Sequence, residues 1–137
     1  MENTAPINCV GVVVFRGDDV LIVKRKNPPN AGAWSIPGGR MEPGESSHEA
    51  VHRELWEETG IRAHIVEEIV VLDEVFEGVP YRLHDYAAIW LEGEPVAGDD
   101  ASEALFIPLN DLEKLNLWDK TTKVIHDAYK MIKHAEK

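Results

Sequence analysis

Hydrophobic and polar positions divide the first half of the chain into short apolar runs separated by polar turns. Valine-rich runs predict strands over 7–15 and 20–25, which the turn at 16–19 would join as a hairpin. Two longer apolar stretches predict a second pair of strands over 63–76 and 81–91, with a turn at 78–80. This pattern is typical of a β-sheet.

Shorter segments fill the spaces between these strands. The region 26–33 contains two prolines and a glycine, which predicts a loop, and 34–37 could form a short strand leading into Gly38 and Gly39. A long acidic loop is expected over 92–102, followed by a short strand over 104–107.

Helical signals occur in the middle and at the end of the chain. Ser46 and Glu49 form a capping box, which starts a helix near Ser47, and Gly60 is a natural residue to follow its end near Thr59. A short helix begins at 110 or 111. The apolar positions 124, 125, 128, 129 and 132 have helical spacing, and Asp119 can cap that last helix.

Strands outnumber helices in this pattern, which predicts the α/β class, with a mixed sheet covered on both faces. A length of 137 residues fits one domain over 1–137 and allows a substantial core. Cys9 lies in an apolar run and is interpreted as a small buried hydrophobic residue.

Charge and composition narrow the choice of partners. The formal net charge of −11 disfavours nucleic acid, which needs a basic face. It is compatible with a phosphorylated small molecule, because Mg²⁺ can bridge an acidic protein and an anionic substrate. The sequence has no apolar stretch of membrane-spanning length and no signal-peptide pattern. With one unpaired cysteine, these features favour a cytoplasmic location.

The helix after Ser46 concentrates glutamates on one face. At about 100° per residue, Glu54, Glu57 and Glu58 lie within one turn of each other. Like charges at this spacing destabilise a helix, and clustered carboxylates are ligands that suit Mg²⁺ or Mn²⁺. The alternative is an exposed helix whose acids are solvated or paired with arginines.

The spacing of the whole segment favours the first interpretation. From Gly39 to Ile61 the sequence matches the Nudix box at all nine defined positions. These are Gly39, Glu45, Arg53, Glu54, Leu55, Glu57, Glu58, Gly60 and Ile61. A chance match in a chain of this length is below about one in a million. The protein therefore resembles the Nudix hydrolases.

That resemblance implies an α/β/α sandwich with the catalytic loop-helix-loop on one side of the sheet. It implies metal-dependent hydrolysis of a nucleoside diphosphate linked to a moiety X, usually with Mg²⁺. It implies that Glu54, Glu57 and Glu58 bind metal, with the Gly38 carbonyl as a further ligand. Arg53 and Glu45 resemble the orienting pair. The base is then Glu54 or a later acid, for which Glu103 is the candidate.

Residues outside this segment leave alternatives open. Trp34 could stack on a base or pack in the core, and Arg25 and Arg40 could contact phosphates or remain surface charges. Gly39 allows close approach of the backbone to a substrate. Asp99 and Asp100 either belong to a solvated loop or help to hold a metal.

Among Nudix branches, the sequence looks most like ADP-ribose pyrophosphatases and MutT-like enzymes. ADP-ribose or a related nucleotide sugar is the first expectation for the substrate, and a nucleoside triphosphate, including an oxidised one, is the second. A non-catalytic nucleotide-sensing domain is a third. Any homodimer would form through the core domain.

Overall fold

The computed structural model of the chain describes residues 5–27 and 30–135. Its strands are β1 (Ile7–Arg16), β2 (Asp19–Arg25), β3 (Trp34–Ser35), β4 (Gly38–Arg40), β5 (Arg62–Phe76), β6 (Val79–Glu92) and β7 (Ala101–Pro108). Its α-helices are α1 (Ser47–Thr59) and α2 (Asp119–Ala135), and a 3₁₀ helix covers Leu109–Leu115.

Among the described residues, seven strands form one mixed sheet. The main path runs β3-β2-β1-β6-β5, while β4 pairs with β1 and β7 pairs with β2. The central strand β1 runs parallel to β6, with Gly11 opposite Asp85. The other pairings are antiparallel. Because β4 takes the edge of β1 next to Gly11, Gly38 lies at the centre of the fold.

Alternation along β1 gives each face of the sheet its own core. Val12 and Val14 pack with Leu55 of α1, whereas Val13 packs with Ile125 of α2. Successive side chains of a strand point to opposite faces, so the valine run from 12 to 14 serves both cores. The α/β/α arrangement predicted from the sequence is thereby confirmed.

The predicted elements agree with the structure apart from three details. β4 was not predicted, because Gly-Gly-Arg has weak strand propensity and pairs only through contact with β1. β7 begins at Ala101, so the acidic loop is shorter than predicted. The short helix predicted from 110 or 111 is a 3₁₀ helix over Leu109–Leu115. Residues 28 and 29 of the predicted 26–33 loop lie outside the described residues.

Cys9 is half-buried, so the prediction of a buried cysteine is wrong. The first three residues of β1 lie outside the buried stretch of that strand.

Within 5–27 and 30–135, neither α-helix has the length and apolar character needed to cross a bilayer.

Candidate active site

Both ends of α1 are fixed by local hydrogen bonds. The Ser46 hydroxyl accepts a hydrogen bond from the Glu49 amide at 3.1 Å, and the Glu49 carboxylate accepts one from the Ser46 amide at 2.9 Å. At the other end, Gly60 adopts a left-handed conformation with φ 69°, and its amide donates to the Trp56 carbonyl. These caps confirm the predicted helix and hold its glutamates at fixed positions along the sheet.

Arg53 connects the acidic residues of the turn and the helix. Its guanidinium donates two bonds to Glu45, at 2.7 and 2.9 Å. It also donates to Glu54 at 2.7 Å and to Glu57 at 3.0 Å. The hydrogen bonds from Arg53 lower the pKa of Glu45 to about 2. The turn is thus bound to the helix by a two-pronged, charge-assisted contact.

Glu54 and Glu58 are both buried on the side of α1 that faces β4. Glu58 accepts a hydrogen bond from the Gly38 amide at 2.9 Å. Burial raises the pKa of Glu58 well above its usual range, and the neighbouring charge of Glu54 raises that pKa further. Burial also raises the pKa of Glu54. Two carboxyl groups therefore share a site in which both cannot ionise freely.

The glycine pair beside these carboxyl groups leaves no room for side chains. A Cβ atom on Gly39 would lie 2.2 Å from Oε2 of Glu54, and one on Gly38 would lie 2.2 Å from the Val10 carbonyl oxygen. Real Cβ atoms do not make such contacts. The absence of side chains at 38 and 39 lets the helix approach the backbone of β4 closely.

The donor chemistry of this site fits a divalent cation. Buried carboxylate oxygens crowded against each other are hard ligands, and a bound Mg²⁺ or Mn²⁺ would relieve their repulsion. Among residues 5–27 and 30–135, no three acidic, histidine or cysteine side chains already form a complete ligand set. Arg53 and the Gly38 amide occupy several of the carboxylate oxygens instead.

Comparison with known protein families covers the chain beyond this site. A family model described as NUDIX domain matches residues 6–128. The chain belongs to the NUDIX domain family.

Relatives of this NUDIX domain have several names. It is 34% identical over 128 residues to an ADP-ribose pyrophosphatase of Methanocaldococcus jannaschii, a match that covers 80% of this chain and 66% of that protein. A putative 8-oxo-dGTP diphosphatase of Bacillus subtilis is 45% identical over 60 residues, which are 44% of this chain and 38% of that protein. The matched segments therefore span less than two thirds of each relative.

Solved structures give the same fold. A MutT NUDIX hydrolase from Burkholderia pseudomallei is 29% identical, with a TM-score of 0.77. That match covers 90% of this chain and 98% of the other.

Other residues predicted for the site make their contacts with residues outside α1. Glu103 in β7 lies opposite Lys24 in β2 and forms an ion pair with it at 3.4 Å. Trp34 is half-buried against the core on the α2 side, with the Lys24 ammonium 5.6 Å from its ring centre. Arg25 is exposed at the end of β2.

Arg40 contacts both the glutamate helix and β6. Its carbonyl accepts a hydrogen bond from Arg53 at 3.0 Å, which ties β4 to the glutamate helix. Its guanidinium lies 5.9 Å from the ring centre of Tyr81, on another part of the NUDIX domain. The backbone of Arg40 therefore belongs to the site, whereas its side chain reaches outward.

Two acidic residues outside α1 have surroundings that the sequence did not define. The charge of Asp100 is close enough to raise the pKa of Glu58, and Asn27 donates to the Asp100 carboxylate at 3.0 Å. The predicted acidic loop drew attention to Asp100. The sequence alone did not decide whether this residue is solvated or helps to hold a metal. Asp85 carried no signal, because its burial depends on Gly11 in a neighbouring strand.

Proposed function

We propose that this NUDIX domain is a Mg²⁺-dependent hydrolase that cleaves the pyrophosphate linkage of a nucleoside diphosphate–X compound, with ADP-ribose or a related nucleotide sugar as substrate. The observation that carries the proposal is the buried pair of Glu54 and Glu58 beside the Gly38 backbone. The name of the ADP-ribose pyrophosphatase relative supports the choice of substrate. Mn²⁺ is expected to substitute for Mg²⁺.

In this proposal, the residues of α1 divide the work between binding and orientation. Glu54, Glu57 and Glu58 hold the divalent ion, with the Gly38 carbonyl as a further oxygen donor. Arg53 orients Glu54 and Glu57 through the hydrogen bonds that it donates to both.

Three positions outside α1 complete these roles. Glu45 anchors the Arg53 guanidinium at the preceding turn. Gly39 lets the backbone approach the substrate, and Arg40 extends from the same strand.

The reaction needs a group that removes a proton from water. When bound, the metal ion supplies neutralisation of the pyrophosphate charge and activation of water. Glu54 is the base candidate inside α1, because its buried carboxylate lies against the Gly39 backbone and burial raises its pKa. Glu103 is the distal candidate for the base or for a ligand, and it would have to exchange its ion pair with Lys24.

A second candidate is hydrolysis of nucleoside triphosphates, including oxidised ones. The putative 8-oxo-dGTP diphosphatase of Bacillus subtilis favours it, through a segment of 60 residues at 45% identity. The two candidates differ in their products. ADP-ribose would give AMP and a sugar phosphate, whereas a triphosphate would give a nucleoside monophosphate and pyrophosphate.

A panel of nucleotides with Mg²⁺ or Mn²⁺ separates these possibilities. We expect AMP release from ADP-ribose to be the fastest reaction, and chelation of the metal to abolish it. Faster release of pyrophosphate from deoxynucleoside triphosphates would replace the first candidate by the second. Tight nucleotide binding without turnover would instead support a sensing domain.

A further inference from the structure

Asp85 in β6 is a buried acid that has no partner among residues 5–27 and 30–135. Among the described residues, the buried polar or charged side chains are Glu54, Glu58, Thr59 and Asp85. The first three make hydrogen bonds in or next to α1. Asp85 is only 7% exposed, and no described residue forms a hydrogen bond or ion pair with its carboxyl group.

The Asp85 oxygens nevertheless remain in contact with solvent. In the part of the chain that the structure describes, every fully enclosed side-chain oxygen or nitrogen has a hydrogen-bond partner. Since the Asp85 oxygens have none, they are not fully enclosed. The carboxyl group thus offers a slightly exposed acceptor that no described side chain or backbone group uses.

This arrangement is expected to destabilise the fold, because no described residue compensates for the burial of the carboxyl group. A buried carboxyl group without partners is unfavourable in its charged form, and burial alone raises the pKa of Asp85 to about 6. Unpaired buried acids of this kind are concentrated at functional sites.

Asp85 is directly connected to the candidate active site. A Cβ atom on Gly11 would lie 2.4 Å from Oδ1 of Asp85 and 3.0 Å from Cδ1 of Ile36. The carboxyl group therefore occupies the space over Gly11, next to Ile36. Gly11 pairs in turn with Gly38, whose amide binds Glu58. Two neighbouring glycines thus separate Asp85 from the acids of α1.

Asp85 lies on the face of the sheet opposite α1. Val13 and Ala87 belong to the core under α2, and Gly11 and Asp85 precede them by two residues in their strands. A ligand that spans Gly38 and Asp85 would contact both faces at the central strand.

Further along the α2 face, aromatic rings remain accessible. Phe76 lies 5.8 Å from both Tyr81 and Trp118 between ring centres. Phe76 is 41% exposed and Trp118 is 43% exposed, so α2 does not cover this end of the sheet. The same face of the sheet as Asp85 therefore carries aromatic groups that suit a flat organic ligand.

We infer that Asp85 is a specificity-determining residue, which accepts a hydrogen bond from an amino group of a purine base while the phosphates lie at the glutamate helix. An ionised carboxylate only accepts hydrogen bonds, and the phosphates of a nucleotide offer none and would be repelled. The base amino groups are the donors furthest from those phosphates. This inference rests on the proposed function, since it places the substrate across Gly38.

Binding of nucleoside monophosphates tests the inference without any turnover. AMP carries an amino group that purine riboside 5′-monophosphate lacks, while the ribose, the phosphate and the ring nitrogens are the same. We expect the wild-type protein to bind AMP about tenfold or more tightly than purine riboside 5′-monophosphate, as measured by calorimetry at pH 7.5. Ribose recognition by Asp85 would give no such preference.

Two variants should remove the preference by different routes. Asp85→Asn supplies an amide that can donate to the N1 atom of purine riboside 5′-monophosphate, so the preference should fall to about threefold or less. Gly11→Ala should displace the carboxyl group and have the same effect. Asp73→Asn changes an exposed aspartate paired with Arg82 and should leave the preference intact. Circular dichroism checks that each variant is folded.

Several results would overturn the inference. These are no measurable binding of either monophosphate, no wild-type preference for AMP over purine riboside 5′-monophosphate, an equal loss of affinity for both ligands in Asp85→Asn, or an unchanged preference in both folded variants. Loss of discrimination in the variants of a protein that hydrolyses no nucleotide would support the role of Asp85 and reject the proposed function alone.

Discussion

Arg53 is the residue on which the geometry of the acidic site depends most. It is the shared donor to Glu45, Glu54 and Glu57, and it also binds the Arg40 carbonyl. These acceptors come from the turn, the helix and β4. A planar guanidinium with a fixed fork of donors can serve all of them at once, whereas an ammonium cannot.

Replacement of Arg53 by lysine should therefore weaken both function and stability. We expect kcat to fall about tenfold to a hundredfold and the free energy of unfolding to fall by about 1–2 kcal/mol, because several charge-assisted hydrogen bonds are lost. Steady-state kinetics and urea denaturation measure the two effects. Arg62→Lys, at the exposed Arg62 next to Trp56, is the matched control and should change neither quantity appreciably. Wild-type kinetics in Arg53→Lys would contradict the orienting role.

Asp85 predicts an unusual pH dependence of stability. Its pKa is raised from 3.8 to about 6 on folding, so the native state holds this proton more tightly than the unfolded state. Stability from this group is present at low pH and is lost as the pH rises through about 6. The stability of the wild type minus that of Asp85→Asn should fall by about 2 kcal/mol between pH 4 and pH 7.5.

Denaturant titrations of both proteins across this pH range give that difference. The subtraction removes the contribution of other titrating groups that the two proteins share. A difference that is constant with pH would show that Asp85 ionises equally easily in the folded and unfolded chains.

Residue-level roles could be predicted only where the interacting residues lie in one segment. The Glu45–Arg53 pair was implied by a resemblance that rests on residues of one turn and one helix, and the structure shows their contact. The burial of Asp85 depends on Gly11 and Ile36, which come from other strands. An aspartate inside a strand pattern gives no local sign of such a neighbour.

At the level of elements, α1 shows how local signals define a functional helix. Its capping box and its terminal glycine were both readable from the sequence and are both present. β4 was not readable, because its three residues become a strand only through their pairing with β1. The metal-site candidates need both elements, so the sequence predicted the helix but not the strand that faces it.

The capping box makes a quantitative prediction for the helix. Ser46→Ala removes the acceptor of the Glu49 amide and should lower the free energy of unfolding by about 1 kcal/mol. Ser46→Asp keeps an acceptor and adds a negative charge at the start of the helix, so its stability should stay close to wild type. Thermal unfolding of the three proteins measures the effect. Equal loss in both variants would mean that the cap contributes little.

At the level of the whole molecule, one strand organises both halves of the proposed substrate site. β1 separates the core under α1 from the core under α2, and Gly11 in β1 lies between Gly38 and Asp85. The net charge of −11 surrounds this site with negative potential. An anionic substrate is therefore expected to bind with the divalent cation rather than alone.

The most direct test is the turnover of ADP-ribose by Glu57→Gln with Mg²⁺, measured by chromatography of the products. We expect the wild type to release AMP and ribose 5-phosphate. The variant should lose at least about a hundredfold in kcat, while its unfolding temperature changes by only a few degrees. Glu67→Gln, at an exposed glutamate in β5, should behave as wild type. Turnover by Glu57→Gln close to that of the wild type would contradict the assignment of the glutamate face as the catalytic metal site.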